Sequence, residues 1–146
     1  MLSDYRLILY HKHPSSGRTL FLYVNETICQ FEGLSSAAHV LESHIGDNQI
    51  QEKMPLLDAL LADARQRLEL FQDSLMVDRE FNAWVDDSGK PLQIYLARFT
   101  SIDPPQERLA RQGGTFLSLI EARRFLPPTE LELLRLAYTT IMDDLS

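Results

Sequence analysis

Two runs near the N-terminus constrain the fold more than any other feature: "YRLILYHK" (Tyr5 to Lys12) and "RTLFLYV" (Arg18 to Val24). In an extended chain successive side chains point to opposite faces. Leu7 and Leu9 then face one way, Ile8 and Tyr10 the other. In the second run Leu20, Leu22 and Val24 alternate with Phe21 and Tyr23. Both faces of both runs are apolar. Such strands are covered on two sides or lie at an interface. The segment between them contains Pro14, Ser15, Ser16 and Gly17, so the pair reads as an antiparallel hairpin with its loop around Pro14 to Gly17.

A second hairpin is written around Asp87-Ser88-Gly89. "EFNAWV" precedes it, "LQIYLARF" follows it, and the glycine supplies the positive φ that tight turns need. Between the hairpins, Ser35-Ser36 reads as the start of a short helix with Ala37, Ala38, Leu41 and Ile45 on one stripe and Gly46 as its stop. A longer helix follows from about Asn48. Met54, Leu57, Leu61, Ala64, Leu68 and Phe71 form its stripe, and Pro55 lies in its first turn or at a kink.

After the second hairpin, Asp103 reads as a helix cap, with Pro104 at the first position, Gln106 at the capping-box position and Gly113 as the stop. "TFLSL" (Thr115 to Leu119) reads as a fifth strand; a competing reading makes Ser118 and Glu121 the capping box of a short helix through Phe125, and a strand Thr115 to Leu117 followed by that helix would accommodate both. Pro128 opens a last helix with Leu131, Leu134, Tyr138, Ile141, Met142 and Leu145 on its buried stripe. Hairpins separated by helices imply one α+β domain over residues 1–146. The expectation is two antiparallel hairpins in one sheet of four or five strands, with helices packed against it. The expected order is ββαα-ββ-(α/β)-α.

The composition bounds function. A chain of 146 residues, 45% apolar and 24% charged, suits one folded domain. A net charge of −7 argues against nucleic acid or an anionic membrane surface as partner. Cys29 is the one cysteine, so neither an internal disulfide nor a cysteine-based zinc cluster can form. No signal-peptide pattern and no apolar run long enough to span a bilayer is present, so a cytoplasmic setting is expected.

Several residues invite chemistry. His11 and His13, two apart on an extended chain, face the same side and can reach one metal ion if a third ligand converges. The alternative is a polar strand end entering a solvated turn. Cys29 lies between apolar residues, which is the setting of a small buried hydrophobe. Arg98, Arg108, Arg111, Arg123 and Arg124 run against the acidic trend, and their planar guanidinium groups suit anion recognition. The alternative is that they neutralise nearby acids at the surface. Trp84 and Tyr95 fall on one face of the second hairpin, as core or as an interface. The leading expectation is therefore a non-enzymatic domain that binds a protein partner or forms a homodimer, with no cofactor. Its rival is a small-molecule or sensor domain that binds an anion in a pocket lined by the Arg98 to Arg124 stretch.

Overall fold

Among the described residues, a mixed six-stranded sheet organises the fold. The computed structural model describes residues 4–41 and 54–143, the side chains of Arg79 and Asn82 apart. In chain order the elements are β1 (Tyr5–Lys12), β2 (Thr19–Tyr23), β3 (His39–Val40), α1 (Met54–Leu68), β4 (Leu75–Asp87), β5 (Lys90–Phe99), α2 (Gln106–Ala110), β6 (Thr115–Leu117), α3 (Leu119–Ala122) and α4 (Pro128–Asp143). The strand order is β3-β4-β5-β1-β2-β6. The α+β class and both hairpins agree with the sequence. The arrangement corrects the rest of the expected order: the sheet has more than the four or five strands expected, and β1 and β5 pair in parallel, Tyr5 opposite Gln93 through Tyr10 opposite Arg98.

The two-faced apolar strands explain this placement. Six consecutive residues of β5, Leu92 to Ala97, are buried, as are six of β1. Only a central strand with cover on both faces accommodates that. One face carries Ile8, Tyr10, Phe21, Ile94 and Leu96 against Leu133, Leu134, Ala137 and Ile141 of α4 and Ala122 of α3. The other carries Leu7, Leu9, Leu22, Tyr95, Ala97 and Phe99 against Leu57, Leu60, Leu61, Ala64 and Leu68 of α1 and Leu109 of α2. Helices thus lie on both sides of the sheet.

Strand β4 changes face partway along. Asp78 pairs with Leu96, but Ala83 pairs with Ile94, so five steps on β4 match two on β5. The odd surplus of three residues inverts the alternation. Leu75 packs on the α1 side, whereas Phe81, Ala83 and Val85 pack on the α4 side. Bulges of this kind bend a strand and re-aim its side chains.

Turn chemistry sets the chain reversals. Ser88 and Gly89 have φ of 57° and 90°, the left-handed pair of a tight hairpin. A second such turn, not anticipated from the sequence, occurs at Asn25 and Glu26, with φ of 56° and 61°. It folds Thr27 back onto Val24 and lets Gln30 exchange both backbone hydrogen bonds with Leu7.

Two expected helix starts are corrected. The helix expected at Ser35 does not form in its described part, and residues 42–46 of it lie outside the described residues. Ser35 instead donates its hydroxyl to Asp87 beside the second hairpin turn, and His39–Val40 pair with β4 as an edge strand. Asp103 does not cap α2. Pro104 and Pro105 have no N–H for a cap to bind, and Pro105 itself is the capping residue, without a side-chain bond. The later signals hold. Ser118 accepts from Glu121 N while Glu121 accepts from Ser118 N, a complete capping box. Pro128 opens α4. Pro55 follows the first described residue of α1, Met54, and the expected helix start from about Asn48 lies outside the described residues. Phe71 leaves the expected stripe, since α1 ends at Leu68 and the ring is exposed under the Arg108 guanidinium, 4.5 Å from its centroid.

Candidate functional site

At the carboxyl ends of the parallel pair, on the α4 side of the sheet, lies a groove of about 730 Å³. That volume is in the range of small-molecule sites, ~300–1,000 Å³. Its floor is a row across three strands: Tyr10 of β1 opposite Arg98 of β5, itself opposite Met76 of β4. Lys12 stands two residues beyond Tyr10, on the same face. The loop from His13 to Gly17 forms one wall, Ile141 of α4 another, and Asp78 and Glu80 at the β4 irregularity a third.

The charges of this groove are unevenly matched. The Lys12 ammonium donates to the Ile141 carbonyl over 3.4 Å, at the C-terminal end of α4, where the helix dipole favours a cation. The Arg98 guanidinium contacts the Met76 sulfur at 3.7 Å, a weak acceptor. Neither cation has a carboxylate partner among the described residues. Asp78, in contrast, accepts from the Tyr10 hydroxyl at 3.4 Å and from the Glu80 N–H at 3.1 Å. Two cations and two carboxylates therefore line one concavity, and of the carboxylates Asp78 is drawn toward protein donors.

His11 and His13 sit behind the loop, with ring centroids 6.4 Å apart. His11 is 1% exposed and donates from Nε2 to the Ser101 carbonyl at 2.9 Å. His13 accepts at Nδ1 from the Ser15 and Ser16 N–H groups, at 3.1 and 3.3 Å, and turns Nε2 toward Asp103, 3.5 Å away. Neutral rings held this way carry their proton on Nε2. With Arg18, Asp103 and Gln106 they line a separate cleft of about 400 Å³. Among the described residues, no group of three or more His, Cys, Asp or Glu side chains is placed to hold a metal ion.

The five arginines do not gather. Arg98 lies on β5 in the groove. Arg108, on α2, donates to the Glu69 carbonyl at 2.9 Å and packs on Phe71. Arg111 is exposed at the end of α2, and Arg123 and Arg124 are exposed at the end of α3. Trp84 and Tyr95 do share the α1 side of the sheet, since Trp84 pairs with Gln93. Tyr95 is core, 2% exposed, and burial pushes its hydroxyl up to about 12. Cys29 is fully buried. Burial, then the charge of Glu130, raises its pKa well above the ordinary thiol value, the opposite of an activated nucleophile.

Lys12, Tyr10, Asp78 and Glu80 were not singled out by the sequence. Strand alternation signals that Tyr10 and Lys12 share a face. Nothing local signals that Arg98 stands beside them, because parallel register is set by contacts remote in sequence. No protein-family model matches this chain, and no curated protein sequence matches it. No described helix is long and apolar enough to cross a membrane.

Proposed function

We propose that this domain binds a small organic anion in the groove between β1, β4, β5 and the end of α4. The observation that carries the reading is the pair of cations, Lys12 and Arg98, facing one concavity with no carboxylate partner among the described residues. Arginine's fork suits a carboxylate or phosphate bound through two parallel hydrogen bonds. Asp78 and Glu80 oppose a bare multivalent anion. They favour one that also carries hydroxyl or amino donors, such as a sugar phosphate or a hydroxy acid. Two charge-assisted contacts of about 1.5–3 kcal/mol each correspond to dissociation constants between a few millimolar and tens of micromolar. This reading keeps the anion but narrows its arginine ligands to Arg98, joined by Lys12.

Thermal unfolding with and without inorganic phosphate, glycerol phosphate and citrate tests it. Glycerol phosphate should raise Tm more than phosphate does, and Lys12→Ala with Arg98→Ala should remove the shift. No shift with any of the three, or an undiminished shift in the double variant, contradicts the reading.

Self-association is a second reading, with a different support. The apolar strand faces are covered by the chain's own helices, so they no longer call for a partner. The short edge strand β6 does, with Ile120 and Phe125 beside it at 69% and 58% exposure. Light scattering at micromolar concentration separates a monomer from a homodimer built on that edge.

A further inference from the structure

A second concavity, of about 220 Å³, lies on the opposite side of the sheet, beneath α1. It is independent of the groove. Tyr5, Arg6 and Leu7 of β1, Gln30, Phe31 and Glu32 of the returning segment, and Leu60, Asp63 and Arg67 of α1 line it.

Two unusual groups lie near it, one on Gln30 in its wall and one on Tyr95, behind Tyr5. Buried polar atoms are nearly always hydrogen-bonded, and each exception calls for a cause. Among the described residues two buried side-chain polar atoms have no hydrogen-bond partner, Gln30 Oε1 and the Tyr95 hydroxyl. Leu7 pairs with Gln30 on one side and with Tyr95 on the other, so these residues form one row across the sheet, all on the α1 face. The orientation of the Gln30 amide is fixed. Its NH₂ donates to the Leu22 and Thr27 carbonyls, at 3.2 and 3.1 Å, which leaves Oε1 as an acceptor. Tyr95 stacks on Tyr5, in the cavity wall, with centroids 6.1 Å apart.

The wall has no net charge but carries both signs. Arg67 Nε meets Asp63 Oδ2 at 3.0 Å, one helical turn apart, and the Arg67 guanidinium lies 5.0 Å over the Phe31 ring. Arg6 is 6% exposed. It donates to the Glu32 and Tyr5 carbonyls and approaches the Glu32 carboxylate at 3.9 Å. An anion or a cation bound here leaves one sign unmatched. A zwitterion matches both, its ammonium toward Asp63 and its carboxylate toward Arg67, with Gln30 in the wall beside them. The volume equals roughly seven waters at ~30 Å³ each, the size of a small free amino acid.

From this arrangement we infer that the cavity beneath α1 is a binding site for a free α-amino acid. Calorimetric titration of the full chain with L-serine, L-valine and L-glutamine tests it, beside the N-acetylated and decarboxylated counterparts of each. At least one free amino acid should bind saturably at millimolar concentration or below, its two counterparts at least tenfold more weakly. Arg67→Ala and Asp63→Asn should each raise Kd at least tenfold, while Lys12→Ala with Arg98→Ala leaves it unchanged. Should Arg67→Ala fail to fold, Asp63→Asn and the ligand series still decide. The inference is overturned if no free amino acid binds, if either counterpart binds as well, or if Asp63→Asn binds like the parent. A crystal grown in the amino acid that shows only an ordered water at Gln30 Oε1 overturns it too.

Discussion

Replacing Glu130 by alanine should destabilise the protein by about 2–5 kcal/mol. Glu130 lies in the first turn of α4 and is 2% exposed. Its Oε1 accepts from the Thr27 hydroxyl at 2.8 Å and from the Ile28 N–H at 3.0 Å. Thr27 Oγ1 in turn accepts from the Cys29 N–H at 2.9 Å. One carboxylate thus ties α4 to the segment after the Asn25-Glu26 turn, and Thr27 and Ile28 are themselves buried. Removing the carboxylate orphans the Ile28 N–H, at a cost of about 1–3 kcal/mol for one buried donor. The Thr27 hydroxyl is partly rescued, since the Cys29 carbonyl lies 3.5 Å away, so its share is smaller, about 1–2 kcal/mol. The range is a large part of a typical stability of ~5–15 kcal/mol. Glu130→Gln keeps the Oε1 acceptor and sheds a buried charge, so it should cost less than about 1.5 kcal/mol. Urea denaturation followed by circular dichroism measures all three proteins. A cost below about 1 kcal/mol for Glu130→Ala, or Gln as damaging as Ala, refutes the reasoning. The first says the bonds are not formed. The second says that charge, rather than the acceptor, holds the contact.

Three further outcomes follow from single groups. Ser118→Ala breaks the capping box of α3 and should cost about 1 kcal/mol, measured in the same denaturation; no change contradicts the cap. Cys29 should resist iodoacetamide in the native protein at pH 8 and react once urea unfolds it, because burial both hides the thiol and raises its pKa; fast native alkylation contradicts that burial. Tyr95 has a folded pKa of about 12 against an ordinary 10, so the folded state prefers the protonated phenol. Its contribution is complete below the ordinary value and is lost as pH rises through this window, so stability should fall between about pH 10 and pH 12. Tyr95→Phe should flatten that fall at no cost in stability, since its hydroxyl has no partner to lose; an unchanged pH profile contradicts the assignment.

Features written in adjacent residues were legible. Alternation with a Ser88-Gly89 turn gave the second hairpin, and Ser118 with Glu121 gave α3 its start. Two-sided apolarity left both helix cover and an interface open, and α1, α2, α3 and α4 supply the cover. Features set by distant contacts were not. Ser35 to Ala38 has the makings of a helix start, yet it forms one turn, with Ser35 held by the Asp87 carboxylate, and the next residues, His39–Val40, join the edge of β4. The parallel register that sets Tyr10 beside Arg98 joins residues far apart in the chain, and the surplus residues between Asp78 and Ala83 leave no local mark. For the same reason arginines close in sequence scatter over α2, α3 and β5. The cations that meet in the groove, Lys12 and Arg98, are remote from each other in the chain.

The most direct test of the groove is amide chemical-shift mapping by NMR with glycerol phosphate titrated into the labelled protein. Saturable shifts should concentrate at residues 10–17, 76–80 and 98 and vanish in the Lys12→Ala, Arg98→Ala protein. Shifts confined to Arg108, Arg111, Arg123 and Arg124, or no shifts at all, would contradict the account.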